Sequence, residues 1–265
     1  MRRLIRDLGL HTVCDSAQCP NRVECFRQNV VTFMILGDIC TRSCAFCAIN
    51  NGQPLRLDPH EADNICKAIK KLNLNYVVIT SVTRDDLTDG GAFHFAECIK
   101  TIHRLDPKIL VEVLIPDFNG SLSSLKAVSE ASPVIINHNI ETVPRLYSEV
   151  RPQADYNLSL GVLKTAKTLN KNILTKSGIM VGLGESHCEV VRVMEDLRKV
   201  GCDILTIGQY LQPSSRNYPV SYYVTREEFE DYNRIGKEIG FYQVVSGPLV
   251  RSSFHALQAY NSAQK

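Results

Sequence analysis

The chain has almost no charge imbalance: 30 Lys and Arg stand against 28 Asp and Glu, a net of +2 over 265 residues. That near-balance removes the electrostatic case for a nucleic-acid partner or an anionic membrane surface. No apolar run approaches the roughly 20 residues that span a bilayer. The opening MRRLIRDLGLHTVC is basic but lacks the apolar stretch and small-residue cleavage site of a secretory signal, so a cytoplasmic setting is expected. Internal repeats and low-complexity tracts are also missing. What remains is a length that suits one sizeable α/β domain or two small ones.

Cysteine is the residue in excess, with ten in all. A disulfide framework would suit a small exported domain, which this chain does not resemble. Six of the ten (Cys14, Cys19, Cys25, Cys40, Cys44 and Cys47) fall within 34 residues, and the other four are scattered singly. Clustering points to metal or cluster ligation. Cys66, Cys98, Cys188 and Cys202 are expected to be small core residues.

From residue 31 the chain alternates strand-like and helix-like stretches. Short β-branched runs occur at 31–36, 76–80, 109–115, 133–136, 173–181 and 203–207. Amphipathic stretches separate them, the first with Asp58 as a possible cap and Pro59 at its first turn. Continuous apolar strands joined by helices imply a parallel sheet of βαβ units. Right-handed crossovers curl six such units into a partial (β/α)6 TIM-type barrel over residues 31–207. Residues 1–30 and 208–265 fall outside the alternation and are expected to cover the barrel mouth as N-terminal cysteine-rich and C-terminal extensions.

The stretch CTRSCAFC puts Cys40, Cys44 and Cys47 at Cys-x3-Cys-x2-Cys spacing after the first strand, on the face where such barrels place their sites. Iron–sulfur clusters are usually held by four cysteines, so three leave one iron open. A zinc site completed by a distant His or Cys is the alternative. With Phe46 before the last cysteine, the motif resembles the signature of the radical S-adenosylmethionine (SAM) superfamily. Upstream, CDSAQCPNRVEC sets Cys14, Cys19 and Cys25 at a different spacing, Cys-x4-Cys-x5-Cys, so it is no copy of the first. The pair of motifs, with LHTVCDSAQCPN, VVITSVTRDDLTDGGA, HNIETV, GIMVGLGE and GPLVRSSFHA, resembles the lipoyl synthases over nearly the whole chain.

That resemblance implies two 4Fe–4S clusters and SAM as cofactors. Cys40, Cys44 and Cys47 would hold the cluster whose open iron binds SAM, cleaved by one electron to a 5′-deoxyadenosyl radical. Cys14, Cys19 and Cys25 would hold an auxiliary cluster, the sulfur donor, closed by a serine of RSSFHA. Both Ser252 and Ser253 match that motif, and the resemblance favours Ser253. Phe254 stands where the family more often has Tyr, which keeps the aromatic bulk. The reaction implied is sulfur insertion at C6 and C8 of an octanoyl-lysine. The partners implied are octanoylated carrier domains, such as the 2-oxoacid dehydrogenase acyltransferase subunit or the glycine cleavage H protein, and a reductant such as ferredoxin or flavodoxin.

Polar contacts to SAM are sought among Thr80, Asn137, Glu141 and Lys176. Arg84, Asp85 and Asp86 read equally well as part of a ligand loop or as a solvated charge run. VGLGE lacks the third glycine of a dinucleotide fingerprint and reads as a close-approach loop. No histidine pair has ligand spacing. The competing functions are a methylthiotransferase, whose usual RNA-binding domain has no room here, and a non-catalytic cluster or zinc protein.

Overall fold

A computed structural model describes residues 1–27 and 30–264 of the chain. They divide into two compact units, Met1–Arg42 with Ala48–Ile136, and Ser43–Cys47 with Asn137–Lys265.

The first unit begins with α1 (Arg2–Asp7), β1 (His11–Thr12), α2 (Val13–Ser16) and α3 (Arg22–Arg27). Strand β2 (Thr32–Ile35) follows, then a two-stranded ribbon of β3 (Ile39–Cys40) and β4 (Asn50–Asn51). Helices α4 (Glu61–Leu72), α5 (Ala92–Leu105) and α6 (Leu122–Glu130) alternate with β5 (Tyr76–Ser81) and β6 (Leu110–Leu114). Strand β1 runs antiparallel to β2, whereas β2, β5 and β6 are mutually parallel, with Phe33 beside Ile79 and Val77 beside Val111. Every residue of β2 is buried, as a strand covered on both faces should be.

Helix α4 turns its apolar stripe (Ile65, Ala68, Ile69) inward at 2% exposure or less. It starts later than the sequence suggests: the Asp58 carboxylate accepts the His60 N–H at 2.8 Å, closing a turn ahead of the helix, and His60 is the cap residue. Glu61 opens the helix and turns inward, where it accepts the Leu36 N–H at 3.0 Å and meets His94 at 2.7 Å.

Strand β7 (Ile135–Asn137) lies at the division between the units. The second unit then runs through α7 (Tyr147–Val150), α8 (Tyr156–Leu169), β8 (Leu174–Val181), α9 (His187–Lys199) and β9 (Ile204–Gln209). It ends with α10 (Arg226–Ile239), β10 (Gln243–Gly247) and α11 (Ala256–Ala263). Strands β8, β9 and β10 are parallel, with Gly178 beside Thr206 and Gln243 beside Ile204. The parallel run therefore continues beyond residue 207 into β10, which QVVSG did not announce, being short and half-exposed. Capping boxes fix the starts of α9 (Ser186 with Glu189) and α10 (Thr225 with Glu228). No helix among the described residues is long and apolar enough to cross a membrane.

Of the scattered cysteines, Cys66, Cys98 and Cys202 are buried as expected. Cys188 is exposed, because it sits in the first turn of α9 away from the stripe of Val190, Val193, Met194 and Leu197 that fills the core.

Candidate functional site: two three-cysteine sets and a docked tail

The CTRSCAFC loop is shared between the two units. Cys40 closes β3 in the first, paired with Asn51, and its Sγ accepts the N–H of Thr83 at 3.3 Å and of Arg42 at 3.4 Å. The Arg42 guanidinium is buried and doubly clamped: it spans both oxygens of Asp85 (2.8 and 2.9 Å) and both of Asp117 (2.5 and 2.8 Å). Burial opposes its charge, but the two carboxylates outweigh that and raise its pKa. The same contact, ahead of burial, lowers the Asp85 pKa.

Arg84 is 3% exposed, forks onto Asp86 at 2.8 Å and donates to the Leu36 carbonyl at 3.0 Å. The run of charges in TSVTRDD is thus a paired network in which Arg84 is buried while Asp85 and Asp86 remain exposed. Sequence alone left it undecided because Asp85 meets Arg42, and Arg84 the Leu36 carbonyl, across 43 and 48 residues.

Ser43–Cys47 belongs to the second unit. Its backbone is tied at alternate residues: Ser43 N–H to Gln153 Oε1 (2.7 Å), Ala45 N–H to the Val150 carbonyl (2.9 Å), and Cys47 N–H to the Cys44 carbonyl (3.1 Å). Asn217 Nδ2 donates back to the Cys47 carbonyl at 2.8 Å. Phe46 packs on the core that contains Tyr147 and Tyr210, so the aromatic of the motif acts as an anchor.

Arg151, 9% exposed, donates to the carbonyls of Asn139 (3.2 Å) and Ile140 (3.1 Å) and to the Tyr147 hydroxyl (3.1 Å). Burial works against its charge, while Tyr147, Glu141 and Cys44 hold it above the ordinary pKa. Tyr210 is pushed up to about 12, by burial first and then by Cys47. Two N–H donors thus meet the Cys40 sulfur and the Arg151 cation lies near Cys44, an electropositive setting for ligands that bind iron through sulfur.

In the first unit, Cys14, Cys19 and Cys25 are gathered by local turns. Cys19 N–H donates to the Cys14 carbonyl (3.2 Å), Arg22 N–H to the Cys19 carbonyl (3.2 Å) and Cys25 N–H to the Asn21 carbonyl (2.9 Å). Gln18 takes a left-handed φ of 51° to make the first of these bends. Burial pushes the Cys14 thiol up to about 11; a backbone hydrogen bond at Thr32 opposes this, and Cys19 and Cys25 add to it. Cys25 is raised by burial and then by Cys19.

Cys14 and Cys25, both raised in part by a neighbouring thiol, form with Cys19 a donor set suited to a cationic cluster, whose irons supply the charge that favours thiolates. The residues present therefore fit both clusters in donor chemistry. Among the described residues no three of Cys, His, Asp and Glu are drawn together to ion-holding geometry.

The candidate SAM contacts separate. Thr80 lies in β5, where its hydroxyl donates to the Leu114 carbonyl at 3.0 Å. Asn137, Glu141 and Lys176 all belong to the second unit, and Asn137 and Lys176 are fully buried. Glu141 has φ +66°; its N–H reaches the Gly178 carbonyl (2.9 Å) and its carbonyl takes the Met180 N–H (2.7 Å). Burial raises the Glu141 carboxyl, opposed by Arg151 and by the Asn139 amide 3.0 Å away. Arg42, Arg151 and Asn139 were missed as candidates. The signal for Arg42 was its position inside the cysteine loop, and for Asn139 its place in HNIETV.

Residues 251–254 form a turn closed by the Phe254 N–H on the Arg251 carbonyl at 2.9 Å, with both serines at its centre. The Ser252 hydroxyl lies 2.7 Å from Asn139 Nδ2, from which it accepts, and 3.0 Å from Oδ1. Ser253, the next residue, is half-buried.

Two strand glycines admit this tail. A Cβ on Gly178 would stand 3.0 Å from Ser252 Oγ and 2.8 Å from Asn139 Oδ1, and one on Gly208 would overlap the Val250 carbonyl oxygen. Replacing Gly208 with Val is expected to undock residues 250–255 and leave the β8–β9 pairing intact. Limited proteolysis at Arg251 should then be markedly faster, with little change in far-UV circular dichroism.

VGLGE does bring backbones close. Gly182, at φ +98°, faces Gln209 and the Tyr222 carbonyl. The loop's N–H groups are filled from within, Gly182 (2.5 Å) and Leu183 (2.9 Å) both donating to Glu185.

Residues 34–197 match the radical SAM superfamily. The chain is 56% identical over 256 residues to a lipoyl synthase of Caldanaerobacter subterraneus subsp. tengcongensis, spanning 97% of this chain and 90% of that one. It is also 56% identical to a lipoyl synthase of Caldicellulosiruptor saccharolyticus, over 96% of this chain and 89% of that one. In fold it is similar to the FeFe-hydrogenase maturase HydG of Carboxydothermus hydrogenoformans, with a TM-score of 0.65 and 17% identity over 87% of this chain and 56% of the maturase. The partial TIM-type α/β architecture of radical SAM enzymes is therefore the fold, and the chain belongs to the lipoyl synthase family of that superfamily.

Proposed function

We propose that the chain inserts two sulfur atoms at C6 and C8 of an octanoyl group carried on a lysine of a lipoyl-carrier protein, with Cys40, Cys44 and Cys47 serving radical formation and Cys14, Cys19 and Cys25 serving sulfur supply. One observation carries the reading: two three-thiol sets of different spacing, each held by its own backbone turns and each lacking a fourth cysteine. Bound to the first set, a 4Fe–4S cluster with one open iron supplies one-electron chemistry on SAM, the route to C–H bonds that no acid or base can deprotonate. Bound to the second, a 4Fe–4S cluster supplies the sulfur.

The protein's own part is placement. Thr83 and Arg42 orient the Cys40 sulfur through backbone N–H groups, and Val150 and Asn217 hold the strand of the loop that carries Cys44 and Cys47. Asn137, Glu141 and Lys176, with Thr80, are assigned to SAM. Ser253 is assigned as fourth ligand of the auxiliary set. The family resemblance is what favours it over Ser252, whose hydroxyl meets Asn139.

Residues 1–30 and 208–265 then act as the ligand-bearing extensions of a radical SAM core at 31–207. Acyltransferase subunits of 2-oxoacid dehydrogenases and the glycine cleavage H protein are the carriers proposed, and ferredoxin or flavodoxin the electron source. The ten cysteines are free thiols, consistent with a reducing, cytoplasmic setting.

The test is incubation of the anaerobically reconstituted protein with SAM, a reductant and an octanoyl-lysine carrier peptide, read by mass spectrometry. A peptide carrying two added sulfurs is expected. Formation of 5′-deoxyadenosine with an unaltered peptide would contradict the assignment. Within it, Ser253→Ala should lower sulfur insertion by at least about tenfold with SAM cleavage kept, since even outer-sphere changes at metal sites cost that much. Ser253→Cys should hold the cluster more tightly and release sulfur more slowly.

A further inference from the structure

One short segment, residues 83–85, holds both flanks of Cys40. Upstream, Leu36 and Gly37 take left-handed φ values of 69° and 90°, turning the chain out of β2. That turn is held at both poles of Leu36: Arg84 donates to its carbonyl (3.0 Å) and Glu61 accepts its N–H (3.0 Å). Downstream, Thr41 N–H donates to the Thr83 carbonyl at 3.0 Å, and the Thr41 hydroxyl sits 3.0 Å from the same oxygen. That hydroxyl also accepts the Asp85 N–H at 3.0 Å, and the Asp85 carboxylate clamps Arg42. Between the flanks, the N–H groups of Thr83 and Arg42 converge on Cys40 Sγ.

Thr83 of this segment aims one N–H at that sulfur, and Asp85 clamps the side chain of Arg42, whose N–H is the second. We propose that residues 83–85, pinned by the Thr41 hydroxyl, are a positioning device that fixes these two donors on Cys40 and thereby raises the reduction potential of iron bound to it. The proposal rests on the reading that Cys40 is a cluster ligand. The physics is direct. Reduction adds negative charge to the cluster and its sulfurs, and an N–H dipole pointing at a ligand sulfur stabilises the reduced form more than the oxidised one. Arg42 and Arg84, which carry or adjoin the donors, are themselves buried, and a dipole counts for more where water is partly excluded. Thr41 is the pin because its hydroxyl touches both Thr83 and Asp85. Valine has the same shape without the hydroxyl.

The experiment uses the full chain, reconstituted anaerobically, and follows the EPR signal that SAM addition perturbs. Thr41→Val should keep its iron content, while its ratio of reduced to oxidised cluster at a fixed ambient potential falls about fivefold, the weight of one hydrogen bond. Thr41→Ser should restore the ratio. An unchanged ratio in Thr41→Val would overturn the proposal.

A second measurement holds even if Thr41→Val assembles poorly. With 15N-threonine incorporated, pulsed EPR on the reduced cluster should show a 15N coupling that disappears in Thr83→Ser, which keeps the N–H but not the isotope, and persists in Thr41→Ser. A coupling indifferent to position 83 would also overturn it. Loss of the SAM-sensitive signal in Cys40→Ala supports the ligand reading separately, and its persistence there would remove that reading whatever the Thr83 result.

Discussion

Alanine at Cys40, Cys44 or Cys47 is expected to reduce reductive cleavage of SAM to background while the protein stays folded. The folding half of this statement comes from the local hydrogen bonds. Cys44 and Cys47 are held through backbone atoms, by the Cys47 N–H on the Cys44 carbonyl and by Asn217 on the Cys47 carbonyl, and neither contact uses a thiol. Cys40 differs, because its sulfur accepts two N–H groups; its loss leaves those donors unpaired at a cost of about 1–3 kcal/mol. Cys40→Ala should therefore show a lower melting temperature than the parent chain. The activity half follows from ligand number, since two remaining thiolates cannot keep three irons in place with a fourth open. 5′-Deoxyadenosine is the product to quantify. Its formation at wild-type rate in any one variant would remove that cysteine from the ligand set.

Alanine at Cys14, Cys19 or Cys25 should give the opposite split: SAM cleavage kept and thiolated product lost. These cysteines lie on local turns closed by the Cys19, Arg22 and Cys25 N–H groups, separate in sequence from the contacts that hold the CTRSCAFC loop. Each substitution should lower iron from about eight to about four per chain, the change expected for loss of one cubane. Cys14 is 6% exposed, and its replacement also opens a small gap beneath β2, so this variant should be the least stable of the three. Lipoyl product at wild-type level from any of them would assign these cysteines a structural or electron-transfer role.

Much of this was legible in the sequence because the signals were local. The β-branched runs became β2 and β5 to β9 within a residue or two, since a strand buried on both faces must be continuously apolar. The cysteine spacings picked out the two sets proposed as ligands, because ligands borne on a single loop must be close in sequence. The parts that stayed hidden are long-range. Arg42 looks like any loop arginine until Asp85 and Asp117, 43 and 75 residues away, fold onto it. Gly178 and Gly208 read as weak strand residues until residues 250–252 pass over them, where no Cβ fits. Strand β10 was missed because QVVSG is brief and half-exposed, and only its pairing with β9 makes it a strand. Helix α4 was placed too early because Asp58 resembles a cap in sequence, yet it spends its carboxylate on the turn before the helix.

The division of labour between the two cysteine sets is tested most directly by the isotope of sulfur in the product. Protein reconstituted with iron and 34S-sulfide, freed of loose sulfide and given SAM, a reductant and octanoyl-lysine peptide, should yield peptide with two 34S atoms and at most one product per chain. Cys40→Ala should give none, and Cys14→Ala should give 5′-deoxyadenosine alone. Product carrying ordinary sulfur, made while the labelled clusters remain intact, would contradict the account.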